Sequence, residues 1–175
     1  MILLTHSDMD HSGSAAELRR RTGAKLAIHE GDAPGLSGER ELKKVKGAFG
    51  LLFRIMVKLM KLEKAAPDVI LKEGDKVGPL TIIATPGHTE GSVSFLSEAN
   101  RTLFVGDALR TTKVGSPRMS PRIMTLDLEK AWESAKKISK LTFDAMLPGH
   151  GKPVLQSAAE RVRQLVQKRD TVENL

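Results

Sequence analysis

The sequence contains no cysteine and no tyrosine, and it has one tryptophan and five phenylalanines among 175 residues. Without cysteine the chain can form neither a disulfide framework nor a thiolate metal site. The scarcity of aromatic side chains argues against a surface that stacks bases, so nucleic acid is not an expected partner. No apolar run is long enough to cross a membrane, and the apolar start at residues 1–4 is too short for a signal peptide. We therefore expect a cytoplasmic protein without membrane contact.

Basic residues outnumber acidic ones, and the formal net charge is +7. Such a charge favours anionic substrates or weak attraction to nucleic acid, although a solvated basic surface explains it as well. The chain is long enough to bury one core, and neither a repeat nor a linker indicates a second domain. We expect a single domain over residues 1–175, with a helical insert at about residues 39–64.

The densest group of chemically active side chains follows the apolar start of the chain. Imidazoles and carboxylates together suit zinc, iron(II) or manganese, and two adjacent acids could serve two ions. A polar cluster of this kind can also be only a helix cap, here provided by Ser12 or Ser14. The four potential metal ligands, within six consecutive positions, are His6, Asp8, Asp10 and His11.

Three later segments each run from an apolar strand into a glycine turn that carries one more potential ligand. These segments contribute His88, Asp107 and His150. Glycine permits the positive φ angles and the close backbone approach that such turns need. Strand ends of this type can converge on one edge of a layered sheet structure, and we expect these side chains to meet the first group there.

In this order the motifs resemble the signature of the metallo-β-lactamase superfamily, which reads H-x-H-x-D-H, G-H-T-x-G, G-D and G-H. The resemblance spans residues 6 to about 154 and implies an αββα sandwich of the mixed α/β (α+β) class. It also implies two divalent metal ions, with zinc expected and iron or manganese as alternatives. Residue by residue, it assigns His6 and His88 to the first metal, Asp10, His11 and His150 to the second, and Asp107 to a bridge between them.

Two features depart from the family pattern. Asp8 stands where the family usually has a histidine on the first metal, and its negative charge favours iron or manganese over zinc. Alternatively, Asp8 turns away and only one metal is held well. Family members also usually carry several more strands before His6, so we expect a sandwich that lacks the first strands of its N-terminal half. An uncovered sheet invites pairing with another chain, which predicts a homo-oligomer.

The resemblance implies a metal-dependent hydrolase in which a metal-bound hydroxide attacks a small-molecule ester, thioester or lactone. Metal binding lowers the pKa of water from about 15.7 towards 7, so hydroxide is available at neutral pH. Asp10 would also be catalytic, by orienting the nucleophile or passing its proton. The compact pattern looks most like the glyoxalase II and lactonase group.

Two other functions stay open. One is cleavage of phosphodiesters, as in a nuclease-like hydrolase, which the net charge favours. The other is a weakly active metal-binding remnant that works through oligomerisation. The substrate-binding residues are unknown, although the basic side chains of Lys113, Arg118 and Arg122 could meet a carboxylate or phosphate. His29, the remaining histidine, is interpreted as structural because no glycine turn presents it.

Hydrophobic periodicity predicts the order of helices and strands. Helices are expected at residues 15–21, 127–140 and 157–172, with Thr125 or Asp127 capping the second. Strands are expected at 1–5, 25–29 and 143–147, with a strand pair formed by 69–71 and 80–84, a hairpin formed by 93–96 and 102–105, and loops at 30–38 and 111–122. The pattern at residues 39–64 predicts a basic amphipathic helix, which could pack on the domain, form a lid or a subunit interface over the metal site, or touch an anionic membrane.

Overall fold

The computed structural model describes residues 1–39 and 63–173, and most of its strands lie in two sheets. The basic amphipathic helix expected at residues 39–64 lies outside the described residues except at its ends. Within the described part of the chain, no helix has both the length and the hydrophobicity required to span a bilayer.

The first sheet has three parallel strands in the order β1-β2-β3, with Ile2 beside Leu26 and Ala27 beside Val69. Parallel neighbours require crossover connections, and helices provide them between β1 and β2. The strands are β1 (Ile2–Leu3), β2 (Leu26–His29) and β3 (Val69–Leu71), and the short helices of this half are α1 (Met9–Ser12), α2 (Ala15–Thr22) and α3 (Ala33–Ser37).

The second sheet has five strands in the order β10-β7-β6-β5-β4, antiparallel except for the parallel pair of β10 and β7. The expected hairpin at residues 93–96 and 102–105 is confirmed as β6 and β7. The strands are β4 (Lys76–Val77), β5 (Leu80–Ala84), β6 (Val93–Ser97), β7 (Thr102–Gly106) and β10 (Ala145–Pro148), and a separate two-stranded ribbon joins β8 (Arg110–Thr111) to β9 (Pro117–Arg118).

Two longer helices complete the described fold, α4 (Leu128–Ser139) and α5 (Ala158–Glu173), both at the predicted positions. Asp127 is the N-cap of α4, because its Oδ1 accepts a hydrogen bond of 3.0 Å from the backbone N–H of Lys130. This hydrogen bond is the main reason that the pKa of Asp127 lies below its usual value. The alternative cap, Thr125, instead donates its hydroxyl proton to the carbonyl of Pro121.

The side chains of the first sheet point alternately to its two faces and contribute to a separate apolar layer on each. Leu26 and Ile28 of β2 pack with Leu4, and with Ala15 and Leu36 from the helical segments, on the outer face. Successive strand residues point to opposite faces, so Ala27 between them faces the other way. There it packs on the second sheet, in a cluster with Leu71, Ile82, Val93 and Phe95.

The second sheet is covered on its outer face by α4 and α5. Leu103 and Val105 of β7 pack there with Ile138 of α4 and Val162 of α5. The resulting layer order is helix, sheet, sheet, helix, the expected αββα sandwich. Phe104 shares the inner face with its cross-strand partner Phe95, yet it is 39% exposed, so the first sheet leaves the inner face open at β7.

Three sequence-based assignments of secondary structure were wrong. Residues 69–71 and 80–84 do not form a strand pair, because β3 pairs with β2 in the first sheet and β5 pairs with the short β4. Residues 30–38 are not all loop: α3 lies within them, with a proline in its first turn and left-handed Gly38 (φ 77°) at its end. Residues 111–122 contain β9, and a 3₁₀ turn follows at Arg122–Met124. The single domain over residues 1–175 and the self-association stay predictions.

We expect the Ile138→Ala variant to lose about 2–5 kcal/mol of unfolding free energy, because it empties a fully buried site between α4 and the second sheet. Urea unfolding followed by circular dichroism measures this loss. The matched control is Ile123→Ala, since Ile123 is 65% exposed and its truncation leaves no cavity. Equal losses for the two variants would contradict this description of the core.

Candidate metal centre

The first ligand-bearing loop begins where β1 ends. Leu4 is buried, its N–H donates to the carbonyl of Ala27, and the carbonyl of Thr5 accepts from the N–H of Val93. These hydrogen bonds tie the loop to both sheets and bury His6 completely. Asp8 then begins the single turn of α1, which presents Asp10 and His11.

Neither of the two serines proposed as a helix cap acts as one. Ser14 at the start of α2 makes no side-chain cap, and Ser12 donates its hydroxyl proton to the carbonyl of Ser7.

The second loop lies against the first half of α4. Gly87 has a φ of 127°, and a Cβ there would overlap the backbone of Ala131, so only glycine fits. Its carbonyl accepts a hydrogen bond of 2.9 Å from the N–H of Asp127, and the carbonyl of Pro86 accepts one of 2.7 Å from Ser134. Helix α4 thereby holds the loop that carries His88, which is 2% exposed.

The last two loops follow β7 and β10, parallel neighbours whose carboxyl ends meet at one edge of the sheet. Asp107 follows left-handed Gly106, and its carbonyl accepts a hydrogen bond of 2.7 Å from Ser120. Gly149 donates to the carbonyl of Gly106, and a Cβ on Gly149 would overlap the side chains of both Asp107 and His11. Glycine is therefore required for the loop of His150 to approach the others.

These loops bring together a buried group of His6, His88 and Asp107, whose ligand atoms all lie within 4.8 Å of one another. We call it the inner cluster. His88 Nε2 lies 3.7 Å from Asp107 Oδ2. Asp8 joins the same region, since its Oδ2 lies 3.1 Å from His88 Nε2 and 3.9 Å from His6 Nε2. The Asp8 carboxylate therefore faces the two imidazoles and does not turn away.

A second group, the outer cluster, consists of Asp10, His11 and His150, again with ligand atoms within 4.8 Å of one another. His150 Nε2 lies 2.9 Å from Asp10 Oδ2, and His11 Nε2 lies 3.7 Å from the same oxygen. The outer cluster is open to solvent, because the Asp10 side chain is 49% exposed and that of His150 is 33% exposed. A substrate could reach this side of the centre.

Asp107 lies between the two clusters. Its Oδ1 is 3.5 Å from His11 Nε2. Its Oδ2 is 3.5 Å from His150 Nε2 and 3.7 Å from His88 Nε2. Its Oδ1 is buried and accepts no hydrogen bond from the described residues. A buried carboxylate oxygen is costly unless a positive charge or a donor compensates it. A cation beside Asp107 would supply that compensation.

The donor set fits divalent cations. Imidazole nitrogen and carboxylate oxygen are the ligands that zinc, iron and manganese accept. His6 Nδ1 lies 3.0 Å from the hydroxyl of Thr5, and a proton held on Nδ1 leaves Nε2 available as a ligand. All seven sequence-predicted residues therefore lie in one region, and they divide into two sets around Asp107.

The other residues considered from the sequence belong to neither of the two clusters. The Nδ1 of His29 accepts a hydrogen bond of 3.2 Å from the N–H of Gly31, which fits its structural interpretation. Lys113, Arg118 and Arg122 are exposed on the segment that follows Asp107. The sequence reasoning missed Asp32, a buried acid within the expected loop at residues 30–38, although the Gly31-Asp32 turn after β2 has the same order of strand, glycine and aspartate as Gly106-Asp107.

The family model of the metallo-beta-lactamase superfamily matches residues 2–150. The match covers every residue of the two clusters and of both sheets. The chain therefore belongs to this superfamily of metal-dependent hydrolases.

Curated relatives agree with this assignment. The uncharacterized protein YobT of Bacillus subtilis (strain 168) is 36% identical over 181 residues, covering 95% of this chain and 73% of its own length. The probable metallo-hydrolase YflN of the same organism is 29% identical, with coverages of 87% and 64%. A hydroxyacylglutathione hydrolase of Cereibacter sphaeroides is 30% identical, with coverages of 85% and 47%. The chain thus spans only part of the length of each relative.

Solved structures share the fold. The metallo-beta-lactamase family protein TTHA1429 from Thermus thermophilus superposes with a TM-score of 0.68 at 25% identity, covering 97% of this chain and 60% of its own. TTHA1623, solved in a di-iron-bound form, gives the same TM-score at 22% identity, with coverages of 94% and 74%. The αββα architecture described above is therefore that of the superfamily.

Replacing His88 with alanine is expected to weaken binding of one of two zinc equivalents, because the inner cluster loses a buried imidazole. The loss of zinc affinity should exceed the loss of about 10–100-fold that is typical when a residue that only supports a ligand is replaced. Zinc titration against a competing chelator measures it. The control is His29→Asn, which keeps a hydrogen-bond acceptor for Gly31 and should bind both equivalents normally. Unchanged zinc binding in the His88→Ala variant would show that the inner cluster holds no metal.

Proposed function

We propose that the protein hydrolyses an ester, thioester or lactone of a small molecule with the help of two divalent cations. The observation that carries this proposal is the position of Asp107, whose two oxygens face imidazoles of both clusters at 3.5–3.7 Å. One carboxylate shared between two ligand sets supports a dinuclear centre. The inner cluster with Asp8 would hold one ion, the outer cluster would hold the other, and Asp107 would serve both.

Cations bound there would lower the pKa of coordinated water and polarise the substrate oxygen. The protein's own contribution is to fix the ligands in advance, because a site that needs no rearrangement stabilises developing charge most effectively. His6 and His88 are buried and held by loops packed on both sheets and on α4, so they provide the rigid side of the centre. The substrate would approach from the exposed side, where the outer cluster lies.

Asp10 is the residue proposed to handle the proton. Its carboxylate lies 2.9 Å from His150 Nε2, and about half of its side chain is exposed. A carboxylate at the open side of the centre can orient an attacking water, accept its proton and pass it on to the leaving group. No other acidic group of the two clusters is as exposed, since Asp107 is buried and Asp8 faces the inner imidazoles.

An uncharged carbonyl substrate is favoured by the surroundings of His88. The backbone carbonyl of His88 accepts a hydrogen bond of 3.3 Å from the N–H of Leu126, and the side chain of Leu126 is 55% exposed. Ile123 and Met124, just before it, are also exposed, so apolar side chains lie on the segment beside the inner cluster. The similarity to a hydroxyacylglutathione hydrolase supports a thioester among the candidate substrates.

A second candidate function is phosphodiester cleavage. The observation that favours it is the exposed basic segment after Asp107, which carries Lys113, Arg118 and Arg122 and adds to the net charge of +7. Guanidinium groups bind phosphate oxygens in pairs, and a segment of this kind could hold an anionic substrate. Substrate assays distinguish the two candidates.

We expect measurable hydrolysis of a thioester or lactone, and a rate at least about tenfold lower for bis-nitrophenyl phosphate at equal concentration. The Asp10→Asn variant should lower kcat by about 10²–10⁴-fold, because the amide cannot accept a proton. Asp144→Asn is the matched control, since Asp144 pairs with Arg101 on the surface. Activity confined to the phosphodiester would favour the second candidate, and activity unchanged in Asp10→Asn would remove the proposed role of this residue.

We also propose that Asp8 shifts the centre towards iron or manganese. A carboxylate adds negative charge where an imidazole would be neutral, and harder ions prefer oxygen ligands. Metal analysis of protein purified without added metal should therefore find iron or manganese, and the Asp8→His variant should contain more zinc than the wild type. Two zinc equivalents with neither iron nor manganese in the wild type would refute this preference.

A further inference from the structure

Asp32 is a buried carboxylate that none of the proposed catalytic roles uses. It follows β2 and is 2% exposed, although its side chain is that of a charged residue. It occupies the N-cap position of α3, yet its side chain does not cap that helix. The carboxylate points instead to the loops that carry the two inner-cluster histidines.

Three hydrogen bonds from those loops converge on this one carboxylate. Oδ2 accepts from the backbone N–H of Ser7 at 2.8 Å and from the hydroxyl of Thr89 at 2.8 Å. Oδ1 accepts from the backbone N–H of Gly91 at 2.9 Å. Ser7 lies between His6 and Asp8 in the chain, and Thr89 directly follows His88. Asp32 therefore joins the neighbours of the inner-cluster ligands to each other.

The direction of the hydrogen bonds shows that Asp32 is the final acceptor. Thr89 gives its only hydroxyl proton to Asp32, so the contact of 2.6 Å between the hydroxyls of Thr89 and Ser92 requires Ser92 to be the donor. Ser92 in turn accepts from the backbone N–H of Thr89. The hydrogen bonds of Thr89 and Ser92, in the loop that carries His88, therefore end at the negative charge of Asp32. Hydrogen bonds to a charged acceptor are stronger than those between neutral groups.

Two glycines allow this approach. A Cβ on Gly31 would lie 2.9 Å from the Cα of Gly91, and a Cβ on Gly91 would overlap the backbone N of Asp32. The backbones of the two loops therefore touch directly, with no side chain between them. The separation of the loops is set by this contact and by the three hydrogen bonds to Asp32.

We propose that Asp32 is a positioning residue that fixes the distance between His6 and His88 and thereby determines the metal affinity of the inner cluster. Its donors are Ser7, Thr89 and Gly91, all next to or near inner-cluster residues. No donor to Asp32 among the described residues comes from the α1 turn or from the loop of His150, so the outer cluster makes no direct hydrogen bond to it. The proposal rests on the proposed metal centre, since it assigns a support to that centre.

The experiment compares metal binding by wild type, Asp32→Asn and Asp68→Asn. An asparagine at position 32 directs an NH₂ group at one or more of the same donors, so at least one link between the loops is lost. Asp68 is the control because it also accepts a backbone N–H, from Leu26 at 2.8 Å, and bonds the guanidinium of Arg19, but at the first residue of β2, whereas Asp32 follows the end of that strand. Each protein is titrated with Zn²⁺ and with Co²⁺, whose visible spectrum reports ligand geometry.

We expect Asp32→Asn to weaken one of two equivalents by about 10–100-fold, leave the other unchanged and alter the cobalt spectrum of the weakened site. Asp68→Asn should bind both equivalents like the wild type. The rise in Tm on adding metal should also be smaller in Asp32→Asn, whereas a merely structural role would lower the Tm of the metal-free and metal-loaded forms equally.

Thr89→Val and Thr89→Ser provide a second test if Asp32→Asn does not fold. Valine removes the hydroxyl that donates to Asp32 and should weaken the same equivalent, while serine keeps the hydroxyl and should restore wild-type binding. Wild-type affinities and spectra in both Asp32→Asn and Thr89→Val would overturn the role of Asp32 and leave the proposed hydrolase intact. A wild-type protein that binds no metal would overturn the proposed function, and the role of Asp32 with it.

Discussion

The cost of burying charge is the constraint on which the centre of this protein depends. Asp107 is buried, and its Oδ1 accepts no hydrogen bond from the described residues. Such a group is tolerated only where positive charge or strong donors surround it. The fold meets this requirement by placing imidazoles on two sides of Asp107.

Close backbone contact is the means by which the loops reach each other. Gly87 rests on α4, Gly149 lies against Asp107, and Gly91 meets the chain at Asp32. A side chain at any of these positions would separate elements that have to touch. The glycines supply no ligand atom themselves, but they determine how near the ligand-bearing residues come to one another.

The two clusters differ in their access to water, and this difference fits the different tasks proposed for them. The inner cluster is enclosed by both sheets and by α4, where electrostatic interactions are strong because little water screens them. The outer cluster lies on the one-turn helix α1 and on the loop after β10, with Asp10 and His150 partly exposed. A centre with one rigid, dry side and one open side suits a hydrolase, since the substrate and the attacking water enter from solvent.

From the amino-acid sequence alone it was possible to predict which ligand residues meet and where α2, α4 and α5 form, whereas α1 and α3 were not predicted. His6, His88 and His150 were recognisable because each follows an apolar strand, two of them on a glycine turn, and α4 was recognisable from its periodicity and its cap. Only the tertiary structure decided that β3 pairs with β2 in the first sheet and does not pair with β5. It also decided that Asp8 faces the inner imidazoles and that Asp32 accepts hydrogen bonds from two separate loops. The physical reason is distance along the chain: the donors to Asp32 lie 25, 57 and 59 residues away. Periodicity and turn chemistry report on neighbours within a few residues, whereas strand partners and buried hydrogen bonds depend on how the whole chain packs.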